Sequence, residues 1–183
     1  DLVMVKVADL TVEEIMITLA DYPHIHDDQT LGEAVELFET ARIEASGKTS
    51  LPRTLLVFDR ADKMIGSVRR RDVMRGLEPS FLVNKPLKHR KKLFDVQLDP
   101  HLTEMNIESI LSGLKQRSKG LVREVMRETS ITIGHNDHIG KAIYEMVDEN
   151  ISLLPVIKEG RVIGVLRSVD VFHQVARVVL GDQ

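Results

Sequence analysis

The chain has 183 residues, of which 43% are apolar and 29% are charged, an ordinary balance for a soluble globular protein. Its net charge of -3 gives no overall reason to bind DNA or a membrane surface. Cysteine is absent, which excludes disulfides, thiolate nucleophiles and cysteine–metal sites. No run reaches the roughly 18 apolar residues of a membrane span, and no signal-peptide pattern is present, so we expect a cytoplasmic protein.

In its first half, the sequence predicts a lead-in arm followed by helix, strand, helix, two strands and a closing helix. These elements lie at residues 1–10, 11–16, 23–26, 31–38, 54–58, 64–68 and 73–77. The first helix begins with a polar cap and two acidic residues. The second helix carries apolar residues at positions i, i+3, i+4 and i+7, which places them on one face.

The second half of the chain repeats this order. Its elements lie at residues 121–126, 129–133, 139–147, 152–157, 161–166 and 171–180. The clearest copy is the stretch 163–171, which shares Ile, Gly, Arg, Asp and Val with 65–73. Because such a unit cannot bury its apolar face alone, we expect the two copies to pair within the chain.

The two copies differ by insertions in the first. The offset between them falls from 110 residues at Val12 and Val122 to 98 residues at Ile65 and Ile163, so the first copy carries 12 extra residues. Most of them lie around residues 44–52, where Gly, Ser and Pro predict a loop or a helix extension.

We therefore predict an α/β (α+β) fold with two domains. The first spans residues 1–80, with the insertion at about 41–53, and the second spans residues 119–183. Residues 81–118 form a linker with an amphipathic helix at about 104–117.

The ordered set of elements resembles a tandem pair of cystathionine-β-synthase-type (CBS) domains, or Bateman module. The resemblance rests on Leu154-Pro155-Val156, on the Gly-x-x-x-x-x-Asp ending and on the run from Met126 to Ile139, and it covers about residues 9–180. It implies βαββα units packed sheet to sheet with pseudo-twofold symmetry. It also implies a regulatory module, usually a disc-like homodimer, that senses AMP, ADP, ATP or a related adenosyl ligand without requiring a cofactor.

The resemblance also implies a ligand site between the domains. Asp170 and Asp72 match the acid that binds ribose hydroxyls, whereas Thr132, Ile133 and the segment before Pro155 match residues that border adenine. The family has Ser or Thr three residues before the acid, but this chain has arginine, which can bind phosphate through its charged fork. The predicted ligand-binding residues are Asp170, Arg167, Ser168, Thr132, Ile133, Pro155, Asp72, Arg69, His24 and Ile25.

Several of these residues also have structural interpretations. Asp72 and Asp170 could simply cap their helices. The triplet Arg69–Arg71 could be a solvated face, and on an extended strand Arg69 and Arg71 would point the same way. If the protein's own side chains filled the clefts, the module would be a ligand-free dimerisation scaffold.

Nucleic-acid, metal and catalytic functions have less support. The basic run at residues 85–92 could contact RNA, DNA or an acidic partner, although an exposed linker balanced by the acidic first helices is the better explanation. His24, His26, His135 and His138 with Asp28 could be proposed as metal ligands, but the rim of a cleft accounts for them, and we expect no metal. No motif of a nucleophile with its base is present, so we expect no enzyme activity.

Overall fold

The computed structural model describes residues 9–78 and 107–181 of the chain. Its helices are α1 (Val12–Ile15), α2 (Leu31–Thr40), α3 (Arg70–Leu77), α4 (Ile107–Arg117), α5 (Ile139–Asp148) and α6 (Ser168–Leu180). Its strands are β1 (Ile17–Thr18), β2 (His24–His26), β3 (Ile43–Ala45), β4 (Lys48–Ser50), β5 (Thr54–Phe58), β6 (Met64–Arg69), β7 (Arg127–Glu128), β8 (Ile133–Gly134), β9 (Leu153–Lys158) and β10 (Arg161–Arg167). Short 3-10 turns lie at Leu19–Asp21 and Val122–Glu124. The predicted mixed α/β fold with two repeats is confirmed.

Two four-stranded sheets carry the fold, and each is centred on one repeated hairpin. Their strand orders are β2-β5-β6-β7 and β1-β10-β9-β8. In both sheets the hairpin strands are antiparallel, and one parallel strand, β2 or β8, lies beside them. The tight turn between β9 and β10 holds Glu159 and Gly160 at positive φ (50° and 77°), as a two-residue hairpin turn requires.

The first segment of each repeat packs against the other repeat. β1 comes from the first half of the chain but pairs with β10, and β7 comes from the second half but pairs with β6. The backbone N–H of Val12 donates to the carbonyl of Asp137, and that of Val122 donates to the carbonyl of Gln29, both at 2.9 Å. Each sheet is thus completed by a strand from the other half of the chain. The predicted domain boundaries at residues 80 and 119 stay a prediction.

Glycine residues allow β7 and β1, the strands that come from the other repeat, to lie close to β6 and β10. A Cβ on Gly66 would run into the carbonyl oxygen of Arg127, and a Cβ on Gly164 would run into that of Ile17. The repeated glycine therefore marks the point where each hairpin accepts a strand from the other repeat.

Each sheet buries both of its faces. In β5, Leu55 and Val57 pack under the helices of the first repeat, whereas the alternate residues Leu56 and Phe58 face the opposite sheet. We call the contact between the sheets the seam. It contains Ile17, Tyr22, Ile43, Leu56, Phe58 and Val165.

The inserted segment forms a hairpin, so the prediction of a loop or helix extension was wrong. β3 and β4 pair antiparallel, and between them Ser46 and Gly47 adopt positive φ (52° and 70°). Ile43 anchors the hairpin because its side chain is buried in the seam. We call residues 43–50 the inserted hairpin.

Three local predictions also need correction. Residues 129–132 are not a strand, because only Ile133 and Gly134 pair with β9. Arg71 lies in α3 rather than on a strand, because β6 ends at Arg69. Val147 lies on the outer side of α5, so its helical stripe is narrower than predicted.

Some predictions fall on residues outside the described ranges. These are the lead-in arm at residues 1–8, the basic run at residues 85–92 and the start of the linker helix at residues 104–106. In the ranges 9–78 and 107–181, no helix combines the length and apolar character needed to cross a membrane.

Candidate functional site

Two cavities open where the repeats meet, and the internal symmetry places them in equivalent positions. The first, about 400 Å³, lies where β10 turns into α6, and we call it the Arg167 cavity. The second, about 480 Å³, is lined by β6 up to Arg69 and by residues 127–131 and 149–153, and we call it the Arg69 cavity. Thr54 and Ser152, which match in the repeat, line both cavities. Both volumes fall in the range of about 300–1,000 Å³ that is typical of small-molecule sites.

In the Arg167 cavity, Arg167 and Asp170 form a two-pronged ion pair. Arg167 caps α6 and Asp170 lies in its first turn. The Nε of Arg167 donates to Oδ2 of Asp170 at 2.6 Å, and Nη2 donates to Oδ1 at 2.8 Å. Nη1 donates to the hydroxyl of Ser50 at 2.9 Å. One guanidinium thus connects the closing helix of the second repeat to the inserted hairpin of the first.

Arg69 and Asp72 form the equivalent pair in the first repeat, with two additional arginines. The Nε and Nη2 of Arg69 donate to Asp72 at 2.9 Å and 3.1 Å. Arg75 donates at 2.6 Å and Arg127 at 3.3 Å, and the Arg69 backbone N–H adds a bond of 3.0 Å. Burial alone would raise the pKa of Asp72, but the hydrogen bonds from Arg69 and Arg127 and the charge of Arg69 lower it to about 2.

The two acids differ in accessibility. The side chain of Asp72 is 0% exposed, whereas that of Asp170 is 10% exposed and borders its cavity. Arginines enclose Asp72, so a ligand hydroxyl cannot reach its carboxylate oxygens. The Arg167 cavity is therefore the one in which the acid can be reached.

The charges around the two cavities also differ. Lys48, Arg53 and Arg167 line the Arg167 cavity, and Asp170 is the acidic residue facing them. In the Arg69 cavity, Arg69 and Arg127 are accompanied by Glu128 and Glu149. The Arg167 cavity consequently offers an anion an excess of positive charge.

The walls of the Arg167 cavity combine apolar surface with a helix start. Tyr22, Ile43 and Leu153 supply the apolar part. Tyr22 is buried, which raises the pKa of its phenol, and its hydroxyl donates to the carbonyl of Thr54 at 2.7 Å. On the other side Ser168 begins α6, whose N-terminal dipole favours negative charge. An elongated ligand with one apolar and one anionic end suits this arrangement.

The structure brings together only part of the predicted site. Asp170, Arg167 and Ser168 share the Arg167 cavity, and Arg69 and Pro155 line the Arg69 cavity. Five predicted residues, in contrast, line neither cavity, and one of them is the fully buried Asp72. Ile25 and Ile133 are core residues, and His24 and Thr132 are exposed next to them in the chain.

Three residues of the site, in or just after the inserted hairpin, are absent from the predicted set. Lys48, Ser50 and Arg53 line the Arg167 cavity, and Ser50 contacts a residue 117 positions later in the chain. The only signal for them is that two basic residues fall in or beside the segment that the second repeat lacks. Across residues 9–78 and 107–181, no group of His, Asp and Glu side chains is arranged to hold a metal ion.

Solved structures of CBS domains share this fold. The CBS domain of a membrane protein from Sphaerobacter thermophilus is 15% identical (TM-score 0.64; 94% of this chain and 92% of that one). The CBS domains of a transcriptional regulator from Streptococcus pneumoniae are 16% identical (TM-score 0.57; 90% and 98%). CBSX2, a CBS-pair protein of Arabidopsis thaliana, was solved in complex with AMP and is 15% identical (TM-score 0.58; 92% and 98%).

At such identities these likenesses establish the fold alone. No curated protein matches the sequence. The sequence itself matches the CBS domain family twice, over residues 12–79 and 122–177, which together make up more than half of the chain. These two segments contain the two repeated hairpins and closing helices. The chain therefore belongs to the CBS domain family and carries a pair of CBS domains.

Proposed function

We propose that this CBS pair is a regulatory module that binds one adenine nucleotide in the Arg167 cavity. The observation that carries the proposal is a ligand-sized cavity, built from both repeats, with excess positive charge and an apolar wall. The AMP complex of CBSX2, a protein of the same fold, supports the choice of ligand class.

In the proposed complex, the phosphate approaches Arg167 and the start of α6. The guanidinium of Arg167 donates hydrogen bonds to Asp170 and Ser50, so a bound phosphate must compete with both for that group. As the guanidinium turns toward the phosphate, Asp170 is released to accept hydrogen bonds from the ribose hydroxyls. The base then lies against Tyr22, Ile43 and Leu153.

Binding would act on the arrangement of the two repeats. The cavity takes Ser50 from the first repeat and Arg167 from the second, and these residues are bonded to one another. A nucleotide that binds one arrangement of this contact better than another shifts the equilibrium between them, and only such differential affinity can carry a signal.

Calorimetric titration with AMP, ADP and ATP tests the proposal. We expect at least one nucleotide to bind wild type, and Asp170→Ala to weaken it by about tenfold or more, because charged hydrogen bonds are lost. Asp148→Ala, at an exposed carboxylate at the end of α5, is the matched control and should leave the affinity unchanged. Equal affinities for wild type and Asp170→Ala would refute the assignment.

A ligand-free scaffold is the second candidate function. It is favoured by the two arginine–aspartate pairs, because both acids already have charged partners from the protein itself. Thermal unfolding separates the candidates, since a ligand that binds only the folded state raises the midpoint. A nucleotide panel that leaves the midpoint unchanged would favour the scaffold.

We also propose that the module is a homodimer that associates through α5 and α6. These helices expose the apolar side chains of Tyr144, Val147, Val169, Phe172, Val179 and Leu180. At the matching positions of the first repeat, Tyr144, Val147 and Val169 are replaced by Glu36, Glu39 and Arg71. Within residues 9–78 and 107–181 this larger apolar face lies on the second repeat, and an exposed apolar face of this kind indicates an association surface.

A further inference from the structure

We infer that the inserted hairpin makes the Arg167 cavity selective for nucleotides with more than one phosphate group. In this assignment Lys48 and Arg53 contact the outer phosphates. The inference rests on the proposed function, because it specifies the ligand of the same cavity.

The position of the two cations supports this selectivity. Lys48 and Ser50 are alternate residues of β4 and therefore point to the same side of the strand. The hydroxyl of Ser50 is 2.9 Å from Nη1 of Arg167, which fixes that side against the proposed phosphate site. Arg53 follows three residues after Ser50 and lines the same cavity. Both cations thus lie on the side of the cavity where phosphates beyond the first would extend.

Both cations are also without an anionic partner in the part of the chain that the structure describes. Among the described residues, neither Lys48 nor Arg53 forms an ion pair, whereas Arg69, Arg127 and Arg167 all bind carboxylates. Two exposed and unpaired cations that line one cavity keep their full attraction for an anionic ligand. Because they are exposed, this attraction should weaken as salt is added.

The two cavities also differ in the elements and charges that surround them. The second repeat has no inserted hairpin, and the Arg69 cavity carries Glu128 and Glu149, which would repel additional phosphates. The hairpin itself is held by the buried side chain of Ile43 and by its tight turn. It therefore presents Lys48 from an ordered element, with Arg53 three residues beyond its end, which favours a specific contact over a general attraction.

The test is a calorimetric comparison of adenosine, AMP, ADP and ATP at low salt and without divalent cations. We expect wild type to bind ATP about tenfold more tightly than AMP, because charge-assisted bonds are added. The double variant Lys48→Gln/Arg53→Gln should lose this difference while AMP affinity changes less than about threefold. The charge-matched control Lys63→Gln/Arg161→Gln alters two exposed residues, one in the turn before β6 and one at the start of β10, and should retain the preference for ATP.

The outcomes separate this inference from the proposed function. If wild type binds AMP and ATP equally, or if the double variant weakens both equally, the selectivity is refuted while nucleotide binding stands. If wild type binds none of the four ligands, the proposed function fails and the inference fails with it. Loss of the ATP preference in the control variant would also overturn it, because the effect would then come from net charge alone.

Discussion

Arg127 donates a hydrogen bond of 3.3 Å from its Nε to Oδ1 of Asp72, which joins the first residues of the second repeat to the closing helix of the first. Arg69 and Arg75 bind the same carboxylate, so one buried negative charge holds three guanidinium groups together. The acid predicted to bind ribose in this repeat thus connects the two halves of the fold. This arrangement makes its charge important for stability.

We expect Asp72→Asn to destabilise the protein in a pH-dependent way. The pKa of Asp72 is about 2, below the ordinary 3.8, so its carboxylate stabilises the fold above pH 3.8 and ceases to do so as pH falls toward 2. The shift corresponds to about 2 kcal/mol at neutral pH. Urea unfolding of wild type and variant should show this difference at pH 7 and a convergence between pH 4 and pH 2.

The control for this prediction is Asp62→Asn. Asp62 is exposed in the turn between β5 and β6 and has positive φ, which asparagine adopts readily. Asp62→Asn should change the free energy of unfolding by no more than about 0.5 kcal/mol. The contrary result is that the free energies of unfolding of wild type and Asp72→Asn differ as much at pH 2 as at pH 7. That result would show that the shape of Asp72, rather than its charge, determines its role.

The close approach at the two repeated glycines gives a second prediction. Gly164→Ala should destabilise the protein by about 2 kcal/mol, because the added Cβ collides with the carbonyl of Ile17 and displaces β1. Gly113→Ala is the control, since a Cβ there meets no atom within 4 Å and alanine favours the helix α4. Thermal or urea unfolding of both variants measures the difference. Equal stability of the two variants would contradict the strand exchange.

The locally encoded part of the fold could be predicted from the sequence. The hairpins follow from their apolar strands and turn residues, and helices α2 and α5 follow from spacing at i, i+3, i+4 and i+7. The repeat itself identified the paired architecture. Both signals depend on residues that are close in the chain, so they can be recognised from the sequence alone.

The parts that depend on distant contacts could not be predicted. Nothing near Val12 indicates that it packs with Asp137 rather than with its own repeat. The contact between Ser50 and Arg167 likewise follows from the exchange and from the inserted hairpin, so the basic edge of the cavity was missed. The pairing of Arg69 with Asp72 could not be predicted either. An arginine three residues before an aspartate indicates a pair only if the strand ends at the arginine and a helix follows, and the sequence does not show where β6 ends.

The enclosure of Asp72 gives a third prediction, a stoichiometry of one nucleotide per chain. Arg167→Gln should weaken nucleotide binding by about tenfold or more, because Arg167 contacts the phosphate in the proposed complex. Arg69→Gln, the same change in the equivalent position, should leave the affinity within about threefold, because Asp72 of that repeat stays inaccessible. Calorimetry gives both stoichiometry and affinity, with circular dichroism to verify folding. Two sites per chain, or equal losses in the two variants, would refute the assignment.

The exposed apolar face of α5 and α6 gives the last prediction. Phe172 is 70% exposed on α6, and its counterpart in the first repeat is Met74, 63% exposed on α3. In the proposed dimer a charge at Phe172 would be buried against an apolar partner surface. Phe172→Glu should therefore weaken self-association by about 100-fold or more.

Met74→Glu is the matched control for this change. It introduces the same charge at the same position of the other repeat, where Glu36, Glu39 and Arg71 already make the surface polar. Size-exclusion chromatography with light scattering at several concentrations should show a dimer for wild type and Met74→Glu and a monomer for Phe172→Glu. If both variants dissociate, the interface includes the first repeat. If neither does, the apolar face serves a different partner, because a buried glutamate without a counter-charge could not be tolerated between two copies of this helix.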